Sequence, residues 1–427
     1  MSELIHLGAR DAARRIAAGS LRSETLIAAC LERIAAREPA VGAWAHIEPE
    51  RALAEARARD REAPRGPLHG VPIAVKDIMN TADLPTGYGS RAYEGHRPGN
   101  DAACVALARA AGAVVLGKTV STEFAGMSPG KTRHPLDPAR TPGGSSSGSA
   151  AAVADFMAPL AFGTQTAGSV IRPAAFCGVV GYKPSFGLVA IAGTKTLAPS
   201  LDTIGGMSRS VADIALFIGA LTDRPSLLPE TPPAKPRIGL YRPELFDQAE
   251  PATIAALESA AERLRRAGIT VAERPPFAEF DGLVAAQDQI MLHESARNLA
   301  WERLHRADAL TALTRQMLED GLRIPVPVYD EACRRAAAAR AHRAAFFGEL
   351  DAVLVPSTRG AAPVGTATGD PVFNRAWTLL HLPCVTLPGA HDEAGLPIGI
   401  QLVGRAGEDA RLLAVAARVE AVLANPG

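Results

Sequence analysis

The sequence predicts an α/β fold, on three observations. Stretches rich in Ala, Arg and Glu, with apolar residues at helical spacing, alternate with short apolar runs bounded by glycine and proline. The 427 residues are 47% hydrophobic and 21% charged, the balance of a globular chain with a large core. No internal repeat is visible, so the alternation does not come from a repeat array.

The elements follow in order. Helical spacing over 8–36 and 50–62 predicts two helices, with Ser23 as N-cap of the helix that begins SETLIAACLERI. PLHGVPIAVKDI reads as a turn, a strand over 72–75, and Lys76 at the strand's end. A helix over 105–111 closes at Gly112, before a strand over 113–116. An alanine-rich helix and a short apolar strand then lie between Ser145 and Ser169. Residues 227–236 form a proline-rich boundary without periodicity. RIGLYR restarts a strand, followed by a helix over 251–267 and the strand ITVAERP. Residues 281–348 are helix-rich and are expected to form a lid or specificity segment. DAVLVPST, PCVTLP and GLPIGIQLVG read as buried strands of the same sheet, and 408–423 as a closing helix.

Composition narrows the function. Lys plus Arg and Asp plus Glu number 45 each, so there is no basic excess to hold a nucleic acid. The N-terminal segment is charged and amphipathic, and the longest apolar stretch, 150–162, contains Asp155. Neither reads as a signal peptide or a membrane span, so a cytoplasmic protein without a membrane partner is expected. Five scattered cysteines fit reduced thiols, and ten dispersed histidines without CxxC or HExxH support neither a metal nor a cofactor.

Three motif matches fail in context. GAVVLGKT (112–119) satisfies the phosphate-loop pattern, but its inner residues are themselves the expected strand. GSSSG centres a nucleophile-elbow pattern on Ser146, yet the preceding HPLDPARTP carries three prolines and cannot be a central strand. SPGK (128–131) satisfies SxxK, but Pro129–Gly130 opposes the helix that would bring Ser and Lys to one face.

One constellation survives. Ser145 and Ser169 each follow a glycine, within one segment. Serine-based amide or ester cleavage needs a nucleophile, a base, and donors for the developing oxyanion. Thr166, Ala167 and Gly168 are small residues able to turn their backbone N–H groups toward one point beside Ser169. Lys76 ends an apolar strand, where desolvation would lower its pKa and free a neutral amine. The alternative for Lys76 is an ion pair in the neighbourhood of Asp77.

GVPIAVKDI, GGSSSGSAAAV, GTQTAGSVIRPAAFCGVVGYKPS and GLPIGIQLVG resemble, in order and spacing, the amidase signature family. The similarity runs over nearly the whole chain and is strongest over 66–211. It implies one α/β domain over 1–427, a mixed sheet surrounded by helices, and an amidohydrolase working through an acyl-enzyme. The family's Ser–cisSer–Lys unit falls on Ser169 as nucleophile, Ser145 as relay after a cis Gly144–Ser145 peptide, and Lys76 as base. QTAGSVIRP departs from the common DTGGSIRxP: Ala167 replaces a glycine, and Arg172 stands three residues after the serine rather than two. If position 167 needs a positive φ, alanine there is strained. The offset, with Gln165, YDEACRRA and PVFNRAWTLLHLPC, is similar to malonamidase-type members, in which an arginine at this place holds the substrate's carboxylate. Arg172 is therefore the expected anchor for a small amide such as malonamate; its alternative is an ion-paired structural arginine. Ser146, and Met127 in the loop 126–132, are further candidates for contacting substrate. Similar proteins suggest a homodimer. A second reading within the family is the ammonia-generating A-type component of a tRNA-dependent amidotransferase, with glutamine as donor and a partner subunit.

Overall fold

Eleven strands form one mixed sheet in the computed structural model, which describes residues 3–227 and 235–424. Most of the proline-rich boundary expected over 227–236 therefore lies outside the described residues. The strands are β1 (Trp44–Ile47), β2 (Pro72–Lys76), β3 (Val114–Thr119), β4 (Leu160–Gln165), β5 (Val180–Lys183), β6 (Thr203–Ser208), β7 (Arg237–Tyr241), β8 (Thr270–Arg274), β9 (Ala352–Pro356), β10 (Cys384–His391) and β11 (Pro397–Gly404). Their spatial order is β1-β3-β2-β4-β6-β5-β10-β11-β9-β7-β8. β2 is parallel to both β3 and β4, and β7 to both β8 and β9; the other pairings are antiparallel.

Helices cover both faces, so the central strands are buried throughout and mostly apolar rather than alternating with exposed polar residues. The two-residue period still sorts their side chains. Ile73 and Val75 enter the larger core, whereas Ala74 packs in the second one with Ala150, Ala151 and Ala152 of the helix Ser147–Ala154. Lys76 has the parity of Ala74, which puts it on the side of that alanine-rich helix. Residues 281–348 are helical as expected, with helices Leu283–Asn298, Ala300–His305, Ala312–Arg323, Val326–Ala341 and Arg343–Phe347. Among the described residues no helix is long and apolar enough to cross a membrane.

The stretch 8–36 differs from the single helix its spacing predicts. It is two helices, Ala9–Ala17 and Ser23–Val41, separated where Gly19 takes φ 71° and Ser20 N–H closes back on Arg15. Ser23 does not act as the N-cap. It is the first residue of its helix, and its buried hydroxyl donates to the Gly70 carbonyl at 2.8 Å. The cap comes from Asp60, whose carboxylate accepts from the N–H groups of Ser23 (2.6 Å) and Glu24 (3.1 Å). Asp60→Ala is expected to lower the free energy of unfolding by about 1–2 kcal/mol, with Asp60→Asn recovering most of it, read from urea midpoints.

Candidate active site

β2 and β4 are adjacent and parallel, so their C-terminal ends open at the same edge of the sheet, where α/β folds place ligands. Lys76 is the last residue of β2, and 166–169 is the turn that leaves β4. Ser145 arrives beside them just before the helix Ser147–Ala154, through a cis Gly144–Ser145 peptide. The fully buried Lys76 amine donates to Ser145 Oγ at 2.8 Å and to Thr164 Oγ1 at 2.7 Å. Desolvation pushes its pKa from 10.5 down to about 7, against an opposing pull from Asp202. Burial raises Asp202 in turn to about 6, countered by the bonds it accepts from Thr166 Oγ1 (2.5 Å), Leu197 N–H (2.6 Å) and Ala198 N–H (3.2 Å).

The alternative role for Lys76, pairing near Asp77, falls to another residue. Asp77 pairs with Lys118 at 3.3 Å, and Lys118 also donates to the Met79 carbonyl and Thr86. Lys118 is the lysine of GAVVLGKT, which is strand β3 and not a phosphate loop. The other two motif matches are also accounted for. SPGK is irregular chain, its Ser128 bonded to Thr311 and its Lys131 pairing outward with Glu38. No strand precedes GSSSG.

The turn after β4 is held from outside. Gln165 Oε1 accepts from the N–H groups of Val170 (3.0 Å) and Ile171 (3.1 Å). The Thr166 carbonyl accepts from Gln287 Nε2 at 2.9 Å, and the Ala167 carbonyl from Thr378 Oγ1 at 2.8 Å. With the carbonyls engaged on that side, the buried N–H groups of Ala167, Gly168 and Ser169 donate to no group among the described residues. Buried N–H groups without acceptors are costly unless a ligand fills them, which suits an oxyanion. Ala167 is not among the residues with positive φ, so the strain conceivable at this position is absent. Gly168 is required for a different reason: a methyl group there would collide with the Asn374 side-chain oxygen.

Ser169, Thr166, Ala167, Arg172, Met127 and Arg375 line one cavity of about 80 Å³. That is room for roughly five to eight water-sized groups, enough for a small amide. Met291 and Met317, from the helical segment 281–348, complete its apolar wall. Arg172 is 4% exposed and donates through Nη2 to the Gly144 carbonyl at 2.6 Å; its Nε and Nη1 are buried without a partner. It is therefore not an ion-paired structural arginine. Burial, reinforced by Arg375 and opposed by Asp370, lowers its pKa to about 9. Ser146, by contrast, is fully buried and bonded to both backbone groups of Thr164 at 3.3 Å; it is not among the cavity walls.

Among the residues at the site not singled out from sequence are Thr164, Asp202, Gln287, Arg375 and Thr378. Arg375 and Thr378 lie in PVFNRAWTLLHLPC, where their helix, Val372–Leu379, was the available signal. Gln287 stands 121 positions from the carbonyl it holds and carries no local motif.

The amidase family model matches residues 25–413. The A-type subunit of glutamyl-tRNA(Gln) amidotransferase from Chloroflexus aggregans is 34% identical, covering 97% of this chain and 96% of its own. A solved amidase superposes with a TM-score of 0.90 at 31% identity, covering 98% of this chain and 100% of that one. The peptide amidase from Stenotrophomonas maltophilia gives a TM-score of 0.82 at 32% identity, with 98% and 97% covered.

Proposed function

The chain belongs to the amidase family, and from that premise we propose that it hydrolyses a small, carboxylate-bearing amide through Lys76, Ser145 and Ser169. It is an amidohydrolase with a single α/β domain. The observation that carries the finer reading is a fully buried lysine whose amine bonds to two hydroxyls and no carboxylate, which favours the neutral, basic form. Ser169 Oγ attacks the amide carbon while its proton passes through Ser145 to the Lys76 amine. The oxyanion falls to the N–H groups of the 166–169 turn, chiefly those of Ala167 and Gly168, with Thr166 shaping the turn. The C–N bond breaks, the proton returns to the leaving ammonia, and water cleaves the acyl ester.

Arg172 supplies the anchor. Its two unpartnered guanidinium nitrogens border the cavity that holds Ser169, and a guanidinium binds a carboxylate bidentately. Met127 and the segment 281–348 give that carboxylate an apolar surround, consistent with a specificity role for the segment. In this reading the substrate is malonamate or an amide of similar size, met in the cytoplasm without a cofactor. Arg172→Leu is expected to raise KM for malonamate about 10–100-fold relative to propionamide. Steady-state kinetics on the two amides check it, and an unchanged ratio removes the anchor role.

A second reading is favoured by the relatives' names: an A-type amidotransferase component that releases ammonia from glutamine. Glutamine also bears a carboxylate, so the cavity serves both readings. Glutaminase activity that appears only with a co-purifying partner subunit supports the second reading; turnover of malonamate by the isolated chain, monomer or homodimer, supports the first.

A further inference from the structure

Arg172 does not face the cavity alone. Arg375, on the helix Val372–Leu379, lines the same space. It donates through Nη1 to Gln287 Oε1 at 2.5 Å and pairs with Asp288 at 2.8 Å. Two guanidinium groups thus border one small cavity, and Arg375 makes the charge on Arg172 costlier. Of the acidic groups near them, Asp288 pairs with Arg375 and Asp370 with Arg359; their side chains are 44% and 42% exposed, and neither lines the cavity. Neither carboxylate partners the two unbonded nitrogens of the buried Arg172. Among the described residues the cavity is thus lined by two guanidinium groups and no carboxylate, which suits an anionic ligand.

Gln287 ties this pair to the reaction. It is fully buried, and its two ends have different partners: Oε1 accepts from Arg375, and Nε2 donates to the Thr166 carbonyl. These partners fix the amide's orientation, since a guanidinium offers only donors and a carbonyl only acceptors. The Thr166 carbonyl and the Ala167 N–H are the two ends of one peptide group. A hydrogen bond at the carbonyl end polarises the N–H end, making it a stronger donor to a developing oxyanion.

We infer that Arg375 and Gln287 form a second, specificity-determining arm of the site, in which Arg375 shares the substrate's carboxylate with Arg172 and Gln287 transmits that engagement to the Thr166–Ala167 peptide. An acidic amide is then turned over faster, and not only bound more tightly. This rests on the carboxylate-bearing substrate proposed above. Gln287 touches no substrate atom and is a positioning residue; Arg375 is a binding residue.

The experiment measures kcat and KM separately on malonamate and propionamide, with malonate as competitive inhibitor, for wild type, R375M, R375K and Q287L. Wild type is expected to show a higher kcat on malonamate. R375M is expected to reduce the malonamate-to-propionamide ratio of kcat/KM about 10–100-fold and to weaken malonate inhibition in step. R375K, which keeps the charge without the fork, is expected to lose several-fold and stands in should R375M not fold. Q287L is expected to lower kcat on malonamate about 10-fold and erase its kcat advantage, with KM and malonate inhibition within about 2-fold. A wild type that prefers propionamide overturns the acidic-substrate reading and this inference with it. A wild type that prefers malonamate while R375M keeps the preference, or Q287L moves KM and not kcat, overturns the inference alone.

Discussion

Ser169→Ala is expected to abolish amide hydrolysis, lowering kcat by roughly four orders of magnitude or more, while leaving substrate affinity nearly intact. The separation follows from where the parts sit. In the proposed mechanism affinity comes from Arg172 and the cavity walls, and the oxyanion donors are backbone N–H groups, none of which depends on the Ser169 hydroxyl. Ser169 is buried at the end of a turn held by Gln165, Gln287 and Thr378, so losing one oxygen leaves the turn in place. Calorimetric titration with malonate should therefore give similar binding for wild type and variant. Quenched-flow mass spectrometry of wild type should show the acyl adduct on the peptide containing Ser169, and the variant none. Residual turnover in Ser169→Ala well above roughly one part in ten thousand would sink the nucleophile assignment.

The residues proposed to do covalent chemistry were legible in the sequence, and most of those that hold them were not. Lys76 was legible in part: a lysine ending an apolar run can carry its amine into a dry interior, but the run alone suits an ion pair better, and the family pattern decided between them. Ser145 and Ser169 could be read because glycine before serine marks close backbone approach, and their spacing matched a family pattern. Gln287 and Thr378 could not, because a side chain that grips a carbonyl 121 or 211 positions away leaves no periodicity. The same limit explains Ser23. A serine heading a helix is the local signature of a cap, yet Asp60, 37 positions on, takes the cap and frees the Ser23 hydroxyl for Gly70. Eight strands were found from their apolar runs; β1, β5 and β6, short or glycine-bearing, were not, and the order of the strands depends on which faces the helices cover. Arg172 illustrates a middle case: its position in the sequence suggested an anchor, and only the absence of a carboxylate partner separated that from a structural ion pair.

Lys76→Met is expected to be inactive and, at pH 6, more stable than wild type. In the proposed mechanism a neutral Lys76 amine is the base, so protonation silences it. In wild type kcat/KM should fall tenfold for each pH step below about 7, the value to which burial lowers Lys76. Methionine has no proton acceptor for Ser145, and the loss should be about 1,000-fold or greater at every pH, with no acid limb attributable to residue 76. The stability effect has the opposite sign. Lys76 is protonated in the unfolded chain up to about 10.5 but in the folded chain only up to about 7. Between those values the unfolded state binds the extra proton, so stability rises with pH there and is lost as pH falls toward 7. The whole cost corresponds to about 5 kcal/mol, present in full below pH 7 and gone above 10.5. Methionine fills the same space without that cost, but leaves Ser145 Oγ and Thr164 Oγ1 without the amine donor, a loss of about 1 kcal/mol each. The variant should thus gain about 3 kcal/mol over wild type at pH 6 and lose its advantage near pH 10, as urea midpoints at the two pH values would show. An unchanged gap would mean that Lys76 is charged in the folded protein at both, and it could not then serve as the base.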